Sequence, residues 1–271
     1  MRTRFAKVGA YTVIGFVMAV YLFPLLFTLN ASLMTEAQFM QNPNALTETF
    51  RFQNFVDAWT RARFSNYVLN SLLYTTVATT VTMALNLLIA FPIARYYVKS
   101  AKKLYGMLLI GMFLPNSTTM LFVMMLNLNL YNTRLGYMLI LMGVGGLTFL
   151  FFVSYIRSLP KELDEAASMD GCGYYRFLLT IIVPLMRPAI ATMAILTAIG
   201  VWNDIMGAVI FLASDRLFPI TRGLFVFIGA RNIQWTLRIS GLIIIAAPVI
   251  VLYVALQRHI IESVVSSGIK G

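Results

Sequence analysis

Hydrogen-bonding and aromatic side chains occur at a few positions within or beside long apolar stretches of the chain. Inside a membrane such groups are costly unless they have partners, and they are also the groups that would hold a polar solute. Each is therefore a candidate for binding a polar solute within the apolar region. The candidates are Asn70, Ser71, Asn116, Trp202, Asn203 and Asp204, with Asn86 and Ser117 as further polar residues of the same kind.

Asp204 is the most unusual of these residues because it is an acid within an apolar stretch. An ionisable residue inside a membrane is a functional candidate by default. At this depth, however, it could equally pair with an arginine near the outer surface and hold helices together. Of these two roles we favour the structural one.

The residue types needed for catalysis or metal binding are scarce. One cysteine, Cys172, excludes an internal disulfide, and one histidine, His259, leaves too few ligands for a structural zinc site. No lysine follows a glycine anywhere in the chain, so the phosphate-binding pattern GxxxxGK[ST] does not occur. We predict that the chain is not an enzyme and that it binds neither a metal nor a cofactor.

The composition places the chain in a membrane. Of its 271 residues 59% are hydrophobic and 11% are charged, and the mean hydropathy is +0.80, which leaves too little polar surface for a water-soluble globule. Runs such as 106–123 are apolar on every face, which favours helices over the alternating strands of a barrel. We predict an all-α polytopic protein, a single transmembrane domain over residues 1–271, with six membrane helices near 8–30, 67–95, 104–126, 136–157, 183–212 and 239–261.

The net charge of +11 is explained by membrane topology better than by a nucleic-acid partner, because the basic residues lie in short connections between apolar stretches. With a cytoplasmic amino terminus, the inner connections hold the larger share of the 21 basic residues, and six helices return both termini to the cytoplasm. The outer loop at 31–66 is too short for an independent domain, so any soluble module that captures solute has to be another chain. The other connections are an inner loop at 158–187, an outer loop at 213–238 and a cytoplasmic tail at 262–271.

The inner loop predicts a helix-turn-helix on the cytoplasmic face. Pro160 suits a first helical turn, and Glu162, Asp164 and Glu165 place negative charge at the positive end of that helix. Gly171 then interrupts it, and a second amphipathic stretch follows at 174–183. A plain alternative is an interfacial amphipathic helix that only joins two spans.

One string within this inner loop is specific enough to indicate a family. Glu165-Ala-Ala is followed by three residues and Gly171, and then by nine residues and Ile181-Ile-Val-Pro184. The string resembles the EAA loop of ABC importer permeases, in which EAA, three residues, glycine and nine residues precede I-x-L-P. Val183 stands where leucine is usual. The string also lies between the predicted fourth and fifth spans, on the predicted cytoplasmic side.

Further similarities point to the carbohydrate-uptake branch of that family and to its maltose-type permeases. They are NSLL at 70–73, AFPIAR at 90–95, WND at 202–204 and SGIKG at 267–271. The tail departs from the family at Glu262 and Ser263, where a basic or apolar residue and a glycine are commoner.

The resemblance implies a binding-protein-dependent permease subunit in a bacterial or archaeal cytoplasmic membrane, forming half of the translocation path for a sugar or oligosaccharide. Its implied partners are a second related permease, two ATPase subunits and an extracytoplasmic solute-binding protein, with ATP and Mg bound by the ATPase. The residues implied to couple to the ATPase are Glu165, Ala166, Ala167, Asp170, Gly171 and Pro184, with a tail contact at Gly268, Lys270 and Gly271.

Other function classes fit the sequence less well. An ABC importer permease for a non-carbohydrate solute has the same EAA-like string and stays open as an alternative. A stand-alone secondary transporter or channel normally needs several intramembrane acids or an inverted repeat, whereas only Asp204 qualifies here. A lipid-modifying enzyme would need a cluster of carboxylates, histidines or a serine with a base, and none is evident.

Overall fold

All regular secondary structure that the structure describes is helical. A computed structural model describes residues 2–114, 117–227 and 234–268, and for residues 2–8, 226–227, 252 and 255–268 the backbone alone. No strand occurs in these ranges, so the all-α prediction is confirmed. The helices are α1 (Arg2–Ser32), α2 (Glu36–Gln41), α3 (Gln53–Arg61), α4 (Phe64–Ala94), α5 (Ala101–Phe113), α6 (Thr118–Asn127), α7 (Arg134–Leu141), α8 (Gly146–Ser158), α9 (Glu162–Met169), α10 (Tyr174–Phe177), α11 (Val183–Leu185), α12 (Arg187–Trp202), α13 (Ile205–Phe211) and α14 (Trp235–Gly268), with a π-helical turn at Leu178–Ile182 and 3-10 turns at Asp215–Leu217 and Ile220–Phe227.

Two continuous helices in the described part of the chain are long and apolar enough to cross a membrane. They are Gly9–Ser32 of α1 and the whole of α4. Three helix pairs pass the same test only when each pair is taken as one bent span, which raises the number to as many as five. The predicted last span lies in α14, where Trp235–Val251 forms a shorter apolar helix. The count of six spans stays a prediction.

The predicted spans at 136–157 and 183–212 are interrupted, and the interruptions have local causes. Between α7 and α8, which meet at 49°, Gly145 and Gly146 have φ of +93° and +64°, a conformation that favours glycine. Between α12 and α13, Asp204 caps the new helix with its side chain. A continuous hydrophobic stretch therefore does not ensure a continuous helix.

The chain divides into two compact units, of which the first comprises residues 1–65 and 222–248. Here the Glu36 carboxylate accepts hydrogen bonds from the backbone N–H of Trp235 (2.9 Å) and Thr236 (3.1 Å), at the start of α14. Asn54 donates to the carbonyls of Ser32 and Met34, both at 2.8 Å. These contacts tie the outer-loop helices α2 and α3 to the ends of the two long helices in the same unit.

The second unit comprises residues 66–221 and 249–271, and its core lies among α4, α8 and α10 to α12. Aromatic rings and aliphatic side chains fill it. The largest fully buried members are Phe91, Phe149, Phe152, Ile156, Leu178, Ile182 and Met186. This core holds the inner ends of the helices on which the EAA-like string lies.

Asn86 crosslinks α4 to the break between α7 and α8. Its amide donates to the carbonyls of Thr82 (2.8 Å) and Gly143 (2.9 Å) and accepts from the N–H of Gly145 (2.8 Å). The Asn86 side chain is fully buried. Within a membrane, backbone groups freed by a helix break need a protein partner, because no water is available. Asn86, one of the polar candidates for solute binding, therefore has a structural use.

We expect Asn86→Leu to destabilise the protein, because an apolar side chain of similar size cannot form hydrogen bonds and would leave the freed backbone groups of Gly143 and Gly145 unpaired. Each unsatisfied buried group costs about 1–3 kcal/mol. Thermal unfolding in detergent would measure the loss. The control is Asn127→Leu, at an exposed amide near the end of α6. Equal melting temperatures for the Asn86 variant and wild type would contradict this account.

Candidate functional site

The EAA-like string forms a short helix that ends in a glycine turn. α9 runs over Glu162–Met169, and Gly171 has φ of +65°, in the left-handed region. The N–H of Gly171 donates to the Ser168 carbonyl (3.1 Å), and that of Cys172 to the Ala167 carbonyl (2.8 Å). This pair of bonds is the Schellman arrangement, which satisfies the last carbonyls of a helix.

Gly171 is required by its backbone conformation and not by crowding within this chain. An added Cβ would meet no atom within 4 Å. The positive φ disfavours any other residue, while the space beside the turn is open. Gly171 is also exposed, so the turn is accessible from outside the chain.

The side chains of α9 divide between an inward and an outward face. Glu165, Ala166 and Asp170 are exposed, whereas Ala167 is 5% exposed and packs into the core of the second unit. We call the exposed group Glu165, Ala166, Asp170 and Gly171 the α9 face. Ala167 thus anchors the helix to its own chain, and the α9 face is left for contacts elsewhere.

α9 is joined to the inner end of α4 by polar contacts. The Arg95 guanidinium lies 3.0 Å from the Asp164 carboxylate and donates to the carbonyls of Leu159 (3.1 Å) and Pro160 (3.2 Å). The Tyr97 hydroxyl donates to the other oxygen of Asp164 (2.8 Å). Partial burial and the neighbouring Asp164 carboxylate raise the pKa of Tyr97 to about 12, so this hydroxyl stays protonated and keeps its donor role at neutral pH.

The second helical stretch of the string bends sharply at its end. From α10 the chain continues through the π-helical turn to Val183, whose N–H donates to the carbonyl of Leu178 five residues earlier. Pro184 follows, has no N–H and is half-buried. The stretch Tyr174–Leu185 then meets α12 at 77°. Pro184 therefore lies next to the bend that leads into α12.

A cavity of about 690 Å³ opens among α6, α7, α12 and α13, all within the second unit. Its volume is in the range of sites for small molecules. Polar and small residues on its wall are Ser117, Thr118, Thr197, Gly200, Asp204 and Gly207. Thr197 and Gly200 were missed from the sequence, although their spacing of seven and four residues from Asp204 is the spacing of one face of a helix.

Asp204 has a structural role in this cavity wall. One carboxylate oxygen accepts from the N–H of Gly207 (3.0 Å) and caps α13, and the other accepts from the Tyr137 hydroxyl (2.9 Å). The acid therefore holds α7 and α13 together, through a tyrosine and a backbone amide and not through the arginine considered above. Asp204 is half-buried and also lines the cavity.

Of the other polar candidates, Ser117 lines the cavity, whereas Asn70, Ser71, Trp202 and Asn203 are not on its wall. Asn70 donates to the carbonyls of Arg216 (2.8 Å) and Phe218 (3.1 Å), and Ser71 accepts from the N–H of Ile220 (2.8 Å), so both hold the outer segment. Trp202 is buried and Asn203 is exposed in the turn before α13.

Part of the predicted site lies at or beyond the limits of the described chain. Gly268 is the last residue of α14. Asn116, Lys270 and Gly271 lie outside the described residues. Within those residues no three side chains of His, Cys, Asp or Glu come together as a metal site would require.

Comparison with known proteins identifies the family. The sequence profile described as "Binding-protein-dependent transport system inner membrane component" matches residues 86–265, which include the EAA-like string and the cavity. The chain belongs to this family. The resemblance stated from the sequence is confirmed, and the permease is thereby an integral component of an inner membrane and a transport subunit.

Curated relatives of the permease are similar over most of its length. MelC of Bacillus subtilis, a melibiose/raffinose/stachyose import permease protein, is 31% identical over 224 residues, covering 81% of each chain. NgcG of Streptomyces coelicolor, a diacetylchitobiose uptake system permease protein, is 29% identical over 246 residues, covering 89% of this chain and 82% of NgcG. MalD of Streptococcus pneumoniae, a maltodextrin transport system permease protein, is 29% identical over 226 residues, covering 81% and 80%.

A solved structure has the same fold as the permease. It is a chain of a bacterial ABC transporter involved in the import of the acidic polysaccharide alginate. The TM-score is 0.85 at 20% identity, with 94% of this chain and 96% of the other covered.

We expect Asp204→Ala to lower the stability of the permease by about 1–2 kcal/mol, because it removes a helix cap and the acceptor of the buried Tyr137 hydroxyl. Asp204→Asn keeps a good cap and should melt close to wild type. Thermal unfolding in detergent is the measurement, with Asn203→Ala at the exposed neighbour as the control. If Asp204→Ala and Asn203→Ala melted alike, the capping role would be wrong.

Proposed function

We propose that the permease forms half of the translocation path of an ATP-binding-cassette importer whose solute is a sugar or oligosaccharide. The family match supports the importer, and relatives named for uptake of several oligosaccharides support the solute class. A second permease completes the path, and an extracytoplasmic binding protein delivers the solute. In this proposal six spans place both termini in the cytoplasm.

The α9 face is the observation that carries the energy-coupling part of the proposal. Its residues are exposed on a helix that Ala167 and the Asp164 contacts hold firmly to the rest of the chain. We assign this face to the cleft of a partner ATPase, where Glu165 contacts a basic group and Gly171 allows close approach. Tilting of α9 is then converted into movement of the membrane helices.

The permease itself supplies no ATP site in this proposal. Its sequence lacks the phosphate-binding pattern, so ATP and Mg bind to the partner ATPase and hydrolysis there drives transport. The tail residues Gly268, Lys270 and Gly271 make a further contact to that subunit. The cavity beside Asp204 is the part of the solute path that this chain contributes, with Thr118 and Thr197 as hydrogen-bonding groups.

Reconstitution of the permease with its partner permease, ATPase and binding protein in proteoliposomes tests the solute class. We expect ATP hydrolysis to rise when the binding protein and one class of sugar are added together, because delivery of solute starts the transport cycle. Stimulation by no sugar in a correctly assembled complex would contradict the carbohydrate proposal. Stimulation by another solute class would favour the non-carbohydrate alternative.

We expect Glu165→Lys and Gly171→Pro each to uncouple ATP hydrolysis from solute uptake while membrane insertion stays intact. The first reverses the charge of the α9 face, and the second alters the turn that shapes it. Glu48→Lys, at an exposed acid in the predicted outer loop, makes the same charge change away from that face and serves as control. Unchanged uptake in both α9 variants would overturn the assignment.

A further inference from the structure

Arg95 connects three separate pieces of the inner end of the second unit. Arg95 is the residue directly after the end of α4. Its guanidinium donates to two carbonyls in the link after α8 and lies 3.0 Å from the Asp164 carboxylate in α9. Arg95 belongs neither to the EAA-like string nor to the α9 face. The proposed function uses its contact with Asp164 only as an anchor of α9 and assigns no role to its link with α4.

The ion pair is buried and incompletely satisfied. The Arg95 side chain is 4% exposed and that of Asp164 20% exposed. The Nε of Arg95 and the Asp164 oxygen nearest the guanidinium are both buried without a hydrogen-bond partner in the described part of the chain. A buried ion pair with unsatisfied groups gives little net stability, because desolvation offsets much of the attraction. Stability alone is thus a poor reason for this pair.

The surroundings of the pair restrict where α9 can move. The Phe91 ring of α4 contacts the rings of Tyr97, Tyr174 and Phe177, with centroids 5.2 to 5.8 Å apart. Tyr97 also donates to Asp164, so the ion pair is bordered by a packed aromatic cluster. These rings join α4 to α10, and Ala167 of α9 packs into the same core, so α4 and the α9–α10 segment are expected to move as one body.

We propose that Arg95 is a positioning residue that fixes the start of α9 to the inner end of α4, so that a displacement of the α9 face reaches α4 directly. This inference rests on the proposed coupling role of α9. Movement of the α9 face then reaches the membrane helices by two routes. One passes through Asp164 and Arg95 to α4, and the other follows the chain through Pro184 into α12.

The attachment itself is tested by hydrogen-deuterium exchange of the detergent-solubilised permease, which requires neither solute nor ATPase. In Arg95→Gln and Asp164→Asn, the amides of residues 161–170 should exchange on the order of tenfold faster, because charge-assisted bonds to the helix start are lost. Glu162→Gln removes a charge from the same helical turn without touching Arg95 and should leave exchange unchanged. Equal protection in all three variants would overturn the proposal.

The mechanical role is tested with an apolar pair, Arg95→Met together with Asp164→Leu. Apolar residues of similar size remove both buried charges at once, which offsets the loss of the hydrogen bonds to the Leu159 and Pro160 carbonyls, the second of which is exposed to water. We expect this double variant to assemble and to melt above the single variant Arg95→Met, which leaves the Asp164 charge unpaired, yet to transport severalfold less solute per ATP hydrolysed than wild type. Arg157→Gln is the matched control, because Arg157 stacks on Tyr96 and Tyr105 (5.5 and 4.8 Å) and not on α9.

The two measurements separate failure of this proposal from failure of the proposed function. Wild-type transport per ATP in the double variant would overturn the positioning role, and so would a parallel loss of folding, assembly and transport. A wild-type complex that no solute stimulates would instead contradict the proposed function. In that case the exchange measurement would still decide whether Arg95 holds α9 to α4.

Discussion

Backbone groups at a helix break have no water to bind inside a membrane, and the second unit of this permease is built around that constraint. Asn86 supplies the partners at the break before α8, and Asp204 caps the helix that starts after the break at 203. Asn70 and Ser71 serve the irregular outer segment at 216–220 in the same way. These polar side chains lower the free-energy cost of the helix breaks by pairing the freed backbone groups. The bent helices, and the cavity between them, depend on that stabilisation.

The same solution appears at the end of α4 beside α9, with a charged group. There the free carbonyls of Leu159 and Pro160 meet the Arg95 guanidinium, whose charge is balanced by Asp164. Two neutral carbonyls would be satisfied by an amide, as at Asn86. Burial of the Arg95 charge has a desolvation cost. Its counter-ion Asp164 lies in α9, so the ion pair also fixes the direction of that helix.

The sequence sufficed to predict the helical class, the approximate apolar stretches and the glycine turn of α9, because each depends on residues close together in the chain. The roles of the intramembrane polar residues could not be predicted in this way. Asn70 looked like a solute ligand, yet its partners lie about 150 residues away at Arg216 and Phe218. Asp204 was considered as a partner for an arginine, whereas its carboxylate accepts from the Tyr137 hydroxyl, which lies 67 residues earlier in the chain.

α12 provides the physical link between the two halves of the candidate site. It begins after the bend that follows Pro184 and ends at Trp202, immediately before Asp204 and the cavity. Its 16 residues span about 24 Å at the usual helical rise. Pro188 stands in its first turn, where a proline is tolerated, so the helical hydrogen bonds beyond it are uninterrupted. For a tilt of α12 as a rigid rod about the bend after Pro184, the displacement would grow along the helix toward Thr197, Gly200 and the cap at Asp204. Because Asp204 is also bonded to Tyr137 of α7, that displacement must reshape the cavity wall on two sides and not on one.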